Sequence, residues 1–275
     1  MQTTANLWDV LCRDLESQRQ VPTPEKHVLA ARKFKEAALQ VFAAGSPRLC
    51  DALEIAGDVC QAAGYYEDAV VDFRESLDRN RNAGYLAPAA RVATKLALLT
   101  EHEGDADAAA DYYRQAVDLY DSVGDHSQHG MLLGNLASLE RGRGNFEKAE
   151  SHYLKAIATA AGIHGQTHPE VAQLYSNLGV AYTDAGLWSK AENMHLRALG
   201  IREHIYGPMH PEVAHSLSNL GVLYHLSGEF GKAASFYKAA IETYTPFEKP
   251  GDQECNAIRA NLEKLPCPTP KPRAS

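Results

Sequence analysis

The sequence predicts an all-α solenoid of stacked helix-turn-helix units, and two observations support that prediction. Asn-Leu-Gly stands at residues 177–179 and again at 219–221, and Asn-Leu-Ala stands at 135–137, so the step is 42 residues each time. In the same register, three glycines are each followed by an aromatic residue two positions later and by an alanine three positions after that; the glycines are Gly144, Gly186 and Gly228. A fixed period of this length is typical of helical hairpins that bury their apolar faces against their neighbours.

Two further units precede these three, because a step of 40 residues leads from Gly144 back to Gly104 and Gly64. In each unit we expect the glycine to end a first helix and to allow a tight turn, since a residue without a side chain adopts positive φ at little cost. In the fourth unit, helical spacing assigns two sets of residues to the core. They are Val171, Leu174, Leu178 and Tyr182 on the first helix, and Ala191, Leu196, Ala198 and Leu199 on the second.

The predicted organisation is five units between two helical caps. The units span residues 47–84, 85–124, 125–167, 168–209 and 210–250. Residues 1–46 are predicted to form an N-terminal helical cap, which includes a helix over 6–18. Residues 251–265 are predicted to form a C-terminal capping helix that covers the last apolar face. The proline-rich tail, residues 266–275, is expected to be disordered.

Composition argues against several classes of function. The net charge of -8 is unsuited to nucleic acid, because binding to phosphates requires a basic face. No stretch approaches the roughly 18 apolar residues of a membrane span, and the first residues lack a signal-peptide pattern, so we expect a cytoplasmic protein without a membrane partner. The five cysteines are odd in number and never spaced as Cys-x-x-Cys, which is typical of reduced thiols.

The sequence contains no recognisable catalytic or metal-binding pattern. There is no Gly-x-Ser-x-Gly and no Gly-x-x-x-x-Gly-Lys phosphate loop. The twelve histidines occur without Cys-x-x-Cys or His-Glu-x-x-His, the patterns that favour zinc. We therefore predict a protein that is not an enzyme and that uses no metal and no cofactor.

The repeated positions resemble the tetratricopeptide repeat over roughly residues 47–250. The 42-residue form, with Gly-Gln-Thr-His-Pro at 165–169 and Gly-Pro-Met-His-Pro at 207–211, looks like the kinesin light chain variety. The resemblance implies right-handed stacking, in which the first helices line a concave groove and the second helices form the convex face.

The resemblance also implies a peptide-binding role for Asn135, Asn177 and Asn219, which would contact the main chain of an extended cargo peptide. An amide suits this task because it offers two donors and one acceptor. The same column continues upstream to Lys95, and the residues one turn earlier on the same face are Arg91, Met131, Gln173 and His215. An alternative is a purely structural ladder, in which each asparagine bonds its neighbour and fixes the stacking register.

Arg91 and Lys95 place two positive charges one turn apart on the predicted groove. They suggest an acidic side chain or a terminal carboxylate in the partner, and solvated or intramolecular ion-pair roles remain the alternative. The chaperone-tail clamp of other tetratricopeptide proteins needs Lys and Asn in the first unit, where this chain has Glu54 and Asp58. That departure argues against binding to heat-shock chaperones.

The sequence therefore predicts an adaptor or scaffold that binds an extended segment of a protein or peptide partner. A second hypothesis is a regulatory or sensory module that binds a signal peptide or small molecule and acts through an effector or through self-association. The sequence does not identify the partner.

Overall fold

The computed structural model describes residues 8–10, 12–13, 15–16, 23–249 and 251–266. Those residues contain helices and no strands, which confirms the all-α prediction. The predicted tail beyond residue 266 and most of the predicted helix over 6–18 lie outside the described residues. The chain folds as two compact units, residues 1–128 and 129–275.

The first unit is a run of helices in which each helix packs against the next. Its pairs are α2 with α3 and α4 with α5, and α1 packs against α2. The bounds are α1 Pro24–Val41, α2 Pro47–Ala62, α3 Tyr66–Asn82, α4 Leu86–His102 and α5 Ala106–Val123.

The second unit repeats the same arrangement with pairs α6–α7, α8–α9 and α10–α11, and α12 packs against α11. The first helices of successive pairs also touch, because α8 contacts both α6 and α10. The bounds are α6 His129–Gly142, α7 Phe146–His164, α8 Pro169–Asp184, α9 Trp188–Tyr206, α10 Pro211–Leu226, α11 Phe230–Tyr244, a 3₁₀ turn Thr245–Phe247, and α12 Gln253–Glu263.

The turns within the pairs have the predicted backbone. Gly144, Gly186 and Gly228 have φ of 77°, 70° and 82°, a conformation that favours glycine. The turns between pairs use histidine instead. The Nδ1 atoms of His168 and His210 accept hydrogen bonds from the backbone N–H groups two residues on, at 3.3 and 3.2 Å, and so cap α8 and α10.

The closest packing within each pair is between a buried ring on the second helix and a small residue on the first. A Cβ added at Gly57, Gly179 or Gly221 would lie 2.5 to 2.7 Å from the ring 16 residues later, so no larger residue fits there without a shift. The rings at this position are Phe73, Tyr113, Tyr153, His195 and Tyr237, all at most 2% exposed.

His195 is the exception in this set, and it corrects one sequence prediction. Helical spacing assigned Leu196 to the core, but Leu196 is 46% exposed and His195 is 2% exposed. The imidazole fills the position that Phe or Tyr fills elsewhere, against Gly179. Its Nδ1 has no hydrogen-bond partner among the described residues. Burial, with Arg202 and His215 nearby, lowers the pKa of His195 to about 4.

Successive pairs in the second unit are joined by a repeated hydrogen-bond clamp. The Tyr182 hydroxyl on α8 donates to Glu150 of α7 at 2.6 Å, and the Lys190 ammonium lies 3.0 Å from the same carboxylate. One repeat later the Tyr224 hydroxyl donates to Glu192 at 2.5 Å. The clamp therefore ties each first helix to the second helix of the preceding pair.

The cysteines are mostly buried. Cys50, Cys60 and Cys255 are free and buried, Cys12 is half-buried, and Cys267 lies outside the described residues. Burial raises the pKa of Cys60 to about 11, so this thiol stays protonated near neutral pH.

We expect His195→Phe to stabilise the protein, because it replaces an unbonded buried imidazole with the ring that fits the same position in the first unit. The gain should grow in acid. The unfolded chain binds this proton with an ordinary pKa of 6.5 and the folded chain only near pH 4, so wild-type stability is lost as pH falls through this window. Urea denaturation at pH 7 and pH 5 should show the difference widening by about 2 kcal/mol. A pH-independent difference would contradict the burial of a neutral imidazole.

We expect Tyr224→Phe to destabilise the protein by about 1 kcal/mol, because it removes the hydroxyl that bonds Glu192 and leaves the ring in place. Tyr206→Phe is the matched control, since Tyr206 is 37% exposed and stacks on His210. Thermal denaturation of both variants measures the effect. Equal midpoints would show that the clamp contributes nothing to stability.

Candidate peptide-binding face

The Asn-Leu-Gly motif divides its side chains between core and surface. Leu178 and Leu220 are fully buried, and the glycine after each leucine receives the ring of the second helix. The asparagine before each leucine is half-buried. We call the surface formed by these residues the asparagine face; its residues are Asn135, Asn177 and Asn219, with the exposed Met131, Gln173 and His215 one turn earlier.

The asparagine face lies on neighbouring helices of one compact unit. Two contacts between first helices show this. The Arg141 guanidinium at the end of α6 lies 2.7 Å from the Asp184 carboxylate at the end of α8. The Asn219 amide of α10 donates to the Ser176 hydroxyl of α8 at 3.0 Å.

The amides are only partly satisfied within the protein. The Gln173 amide donates to Oδ1 of Asn177 at 2.8 Å, while Nδ2 of Asn177 has no printed partner among the described residues. Asn219 uses one N–H for Ser176. Part of the amide capacity therefore fixes the stacking of the helices, and part faces outward.

A buried arginine supports this face from behind. Arg202 of α9 is 2% exposed, and burial lowers the pKa of Arg202. Its guanidinium donates to Gln173 Oε1 at 2.7 Å and to Ser216 Oγ at 2.8 Å, and it lies 3.1 Å from the Glu212 carboxylate. Sequence reasoning missed this residue, because an arginine in a second helix reads as surface.

The helix predicted as a cap adds a residue to the column. Asn261 and Leu262 follow Asn219 and Leu220 by the same 42 residues, and Asn261 is half-buried. Cys255 packs with the core of the preceding pair, so α12 takes the place of a sixth first helix. The repeat step contained this signal, and it was missed because the alanine or glycine of the motif is Glu263 here.

The first unit has the same register but a different chemistry. Arg91 donates to both oxygens of Glu54 at 2.9 and 2.7 Å. Lys95 lies 2.6 Å from Asp58 and 2.9 Å from Glu54. Although burial raises it, the hydrogen bonds from Arg91 and Lys95 hold the pKa of Glu54 below its usual value. Of the roles considered for these two cations, the intramolecular ion pair is the one present.

This geometry, successive helical pairs that place polar side chains on their first helices, defines a helical-repeat protein. The chain belongs to the tetratricopeptide repeat family: the family profile matches residues 88–162, 128–204 and 170–245. Repeats of this family are generally non-catalytic modules for protein–protein interaction. No helix among the described residues has the length and apolar character needed to cross a membrane.

Solved structures with similar folds include kinesin light chain-like proteins. BtubC (BKLC) from P. vanneervenii is 26% identical, with 96% of each chain covered and a TM-score of 0.62. The kinesin light chain-like repeats from Podosopora anserina are 14% identical, cover 74% of this chain and 96% of theirs, and give 0.58. A signal transduction ATPase from Pyrococcus horikoshii with a tetratricopeptide repeat sensor is 15% identical, covers 91% and 39%, and gives 0.60. No curated protein sequence matches significantly.

We expect Arg91→Met to destabilise the first unit by about 1 to 3 kcal/mol at pH 7, because the largely buried Glu54 carboxylate keeps only Lys95. The matched control is Arg114→Met, which removes an exposed pair with Asp111 in the same unit; exposed pairs contribute little. Urea denaturation compares the two variants. An equal small effect would leave Arg91 available for a partner's carboxylate.

Proposed function

We propose that this protein is a non-catalytic adaptor that binds an extended segment of a partner protein along the asparagine face of the second unit. The observation that supports this most directly is the row of half-buried amides at one position of successive first helices. Asn177, whose Nδ2 is without a printed partner among the described residues, and Asn261, which extends the row, belong to it. A helix-interior asparagine costs a few tenths of a kcal/mol in propensity, so its recurrence calls for a reason.

The chemistry of the face suits a main chain better than a charged side chain. Amides supply both donors and acceptors, as a peptide backbone does. In the first unit, by contrast, Arg91 and Lys95 are neutralised by Glu54 and Asp58. We therefore assign the main recognition to the second unit.

The amides alone do not account for tight binding. Three neutral hydrogen bonds at about 0.5 to 1.5 kcal/mol each contribute about 2 to 4 kcal/mol. Micromolar affinity requires roughly 8 kcal/mol. Side-chain contacts with neighbouring residues of the face, such as Met131 and Leu226, which are 37% and 59% exposed, would supply the remainder and the sequence preference.

The test uses a phage-displayed library of random dodecapeptides, selected on the purified full chain. The enriched peptide is then synthesised with a fluorophore, and its affinity is measured by anisotropy. We expect the Asn135→Ala, Asn177→Ala, Asn219→Ala triple variant to bind at least about tenfold more weakly, which is the loss of one to three hydrogen bonds.

The matched control is Asn193→Ala with Asn256→Ala, which removes two exposed asparagines of the second unit outside the face. Circular dichroism checks that every variant is folded. Unchanged affinity of the folded triple variant would rule out this face, as would a library selection that enriches nothing.

The regulatory alternative stays a prediction with its own measurement. Light scattering over a range of protein concentrations, with and without the enriched peptide, reports self-association. A monomer that ignores the peptide argues against a role through self-association.

A further inference from the structure

The buried Arg202 fixes more than the packing of α9, because it dictates which way two amides point. A guanidinium has only donors, so the Gln173 side chain must turn its oxygen toward Arg202, at 2.7 Å. Its NH₂ group then faces Asn177 and donates to Oδ1 at 2.8 Å. An Asn177 amide held in this way has its own NH₂ group directed away from Gln173.

We propose that Arg202 is a positioning residue, acting through Gln173, that sets Asn177 as a hydrogen-bond donor toward the bound partner. The partner atom at this point is therefore an acceptor, a main-chain carbonyl oxygen. This proposal rests on the proposed function and adds to it the polarity of one contact.

The arrangement is specific to one repeat. At the position of Arg202 the neighbouring repeats have Ala160 and Tyr244, and at that of Gln173 they have Met131 and His215. Arg202 is held by partners outside the relay as well, since Ser216 accepts from it and Glu212 lies beside it. The guanidinium is thus fixed before any partner binds, and a fixed donor lowers the entropic cost of binding.

The decisive variant is Gln173→Glu. A glutamate still accepts from Arg202, and with a stronger ion pair, so the fold is kept. Its second oxygen can only accept, so Asn177 must reverse and donate to it, which turns Oδ1 toward the partner. Ser216→Ala is the matched control, because it removes a different partner of the same arginine and leaves the relay intact.

The first readout is made on the free protein and is independent of any ligand. With ¹⁵N-labelled asparagine, the side-chain NH₂ signal of Asn177 is assigned by its loss in Asn177→Ala. Solvent exchange of these protons is then measured. We expect exchange to slow several-fold in Gln173→Glu and to stay unchanged in Ser216→Ala. Equal exchange in all three proteins would overturn the relay.

The second readout uses the dodecapeptide selected on the wild type, with each backbone amide in turn replaced by an ester, whose carbonyl is a weaker acceptor. One ester position should weaken binding to the wild type and have no further effect on Gln173→Glu, which itself binds about tenfold more weakly. Ser216→Ala should match the wild type.

The outcomes separate the two proposals. If the Asn135, Asn177, Asn219 triple variant loses binding and Gln173→Glu does not, the face binds peptide but the donor assignment is wrong. If the triple variant binds normally, the proposed function fails and this inference fails with it, whatever the exchange rates show about the free amide.

Discussion

The structure depends on the close approach of one buried ring to one small residue in every helical pair. Where that residue is glycine, the ring occupies the space of a Cβ, so the two helices lie closer than any other side chain would allow. This contact also fixes the rotation of the first helix. With glycine and the preceding leucine turned inward, the asparagine two positions before the glycine must lie on the outer side of the pair. The packing rule and the candidate binding row are therefore the same three-residue motif.

The sequence predicted what repeats and missed what occurs once. The 42-residue step identified the helical pairs, the positive-φ glycines and the asparagine column, because each recurs with a physical reason. His195 was missed because one repeat substitutes a polar ring at an apolar position, so hydropathy pointed to Leu196. Asn261 was missed because the motif changes to Asn-Leu-Glu in the last helix.

Arg202 could not be predicted, and the reason is general. Its partners Gln173 and Ser216 are 29 and 14 residues away, and no residue one period earlier or later repeats the contact. Hydrogen bonds between side chains on different helices depend on packing that periodicity does not encode. The pairing of Arg91 with Glu54, 37 residues apart, was left open at the sequence stage of reasoning for the same cause: charge pattern gives the signs but not the partners.

One contact between neighbouring first helices takes opposite forms in the two compact units. Lys95 lies against Glu54, the residue just before the column position of the preceding repeat, and Asn219 lies against Ser176 in the same relation. In the first unit the contact is an ion pair, and the carboxylates around it use the charges of both cations. In the second unit the contact is neutral, and it uses one N–H of an amide that has a second N–H and a carbonyl. A stacking contact made by an ammonium and a carboxylate leaves little for a partner, whereas one made by an amide and a hydroxyl stabilises the stack and keeps capacity for recognition. The choice of asparagine at this position thus allows one side chain to serve both the fold and a partner's main chain.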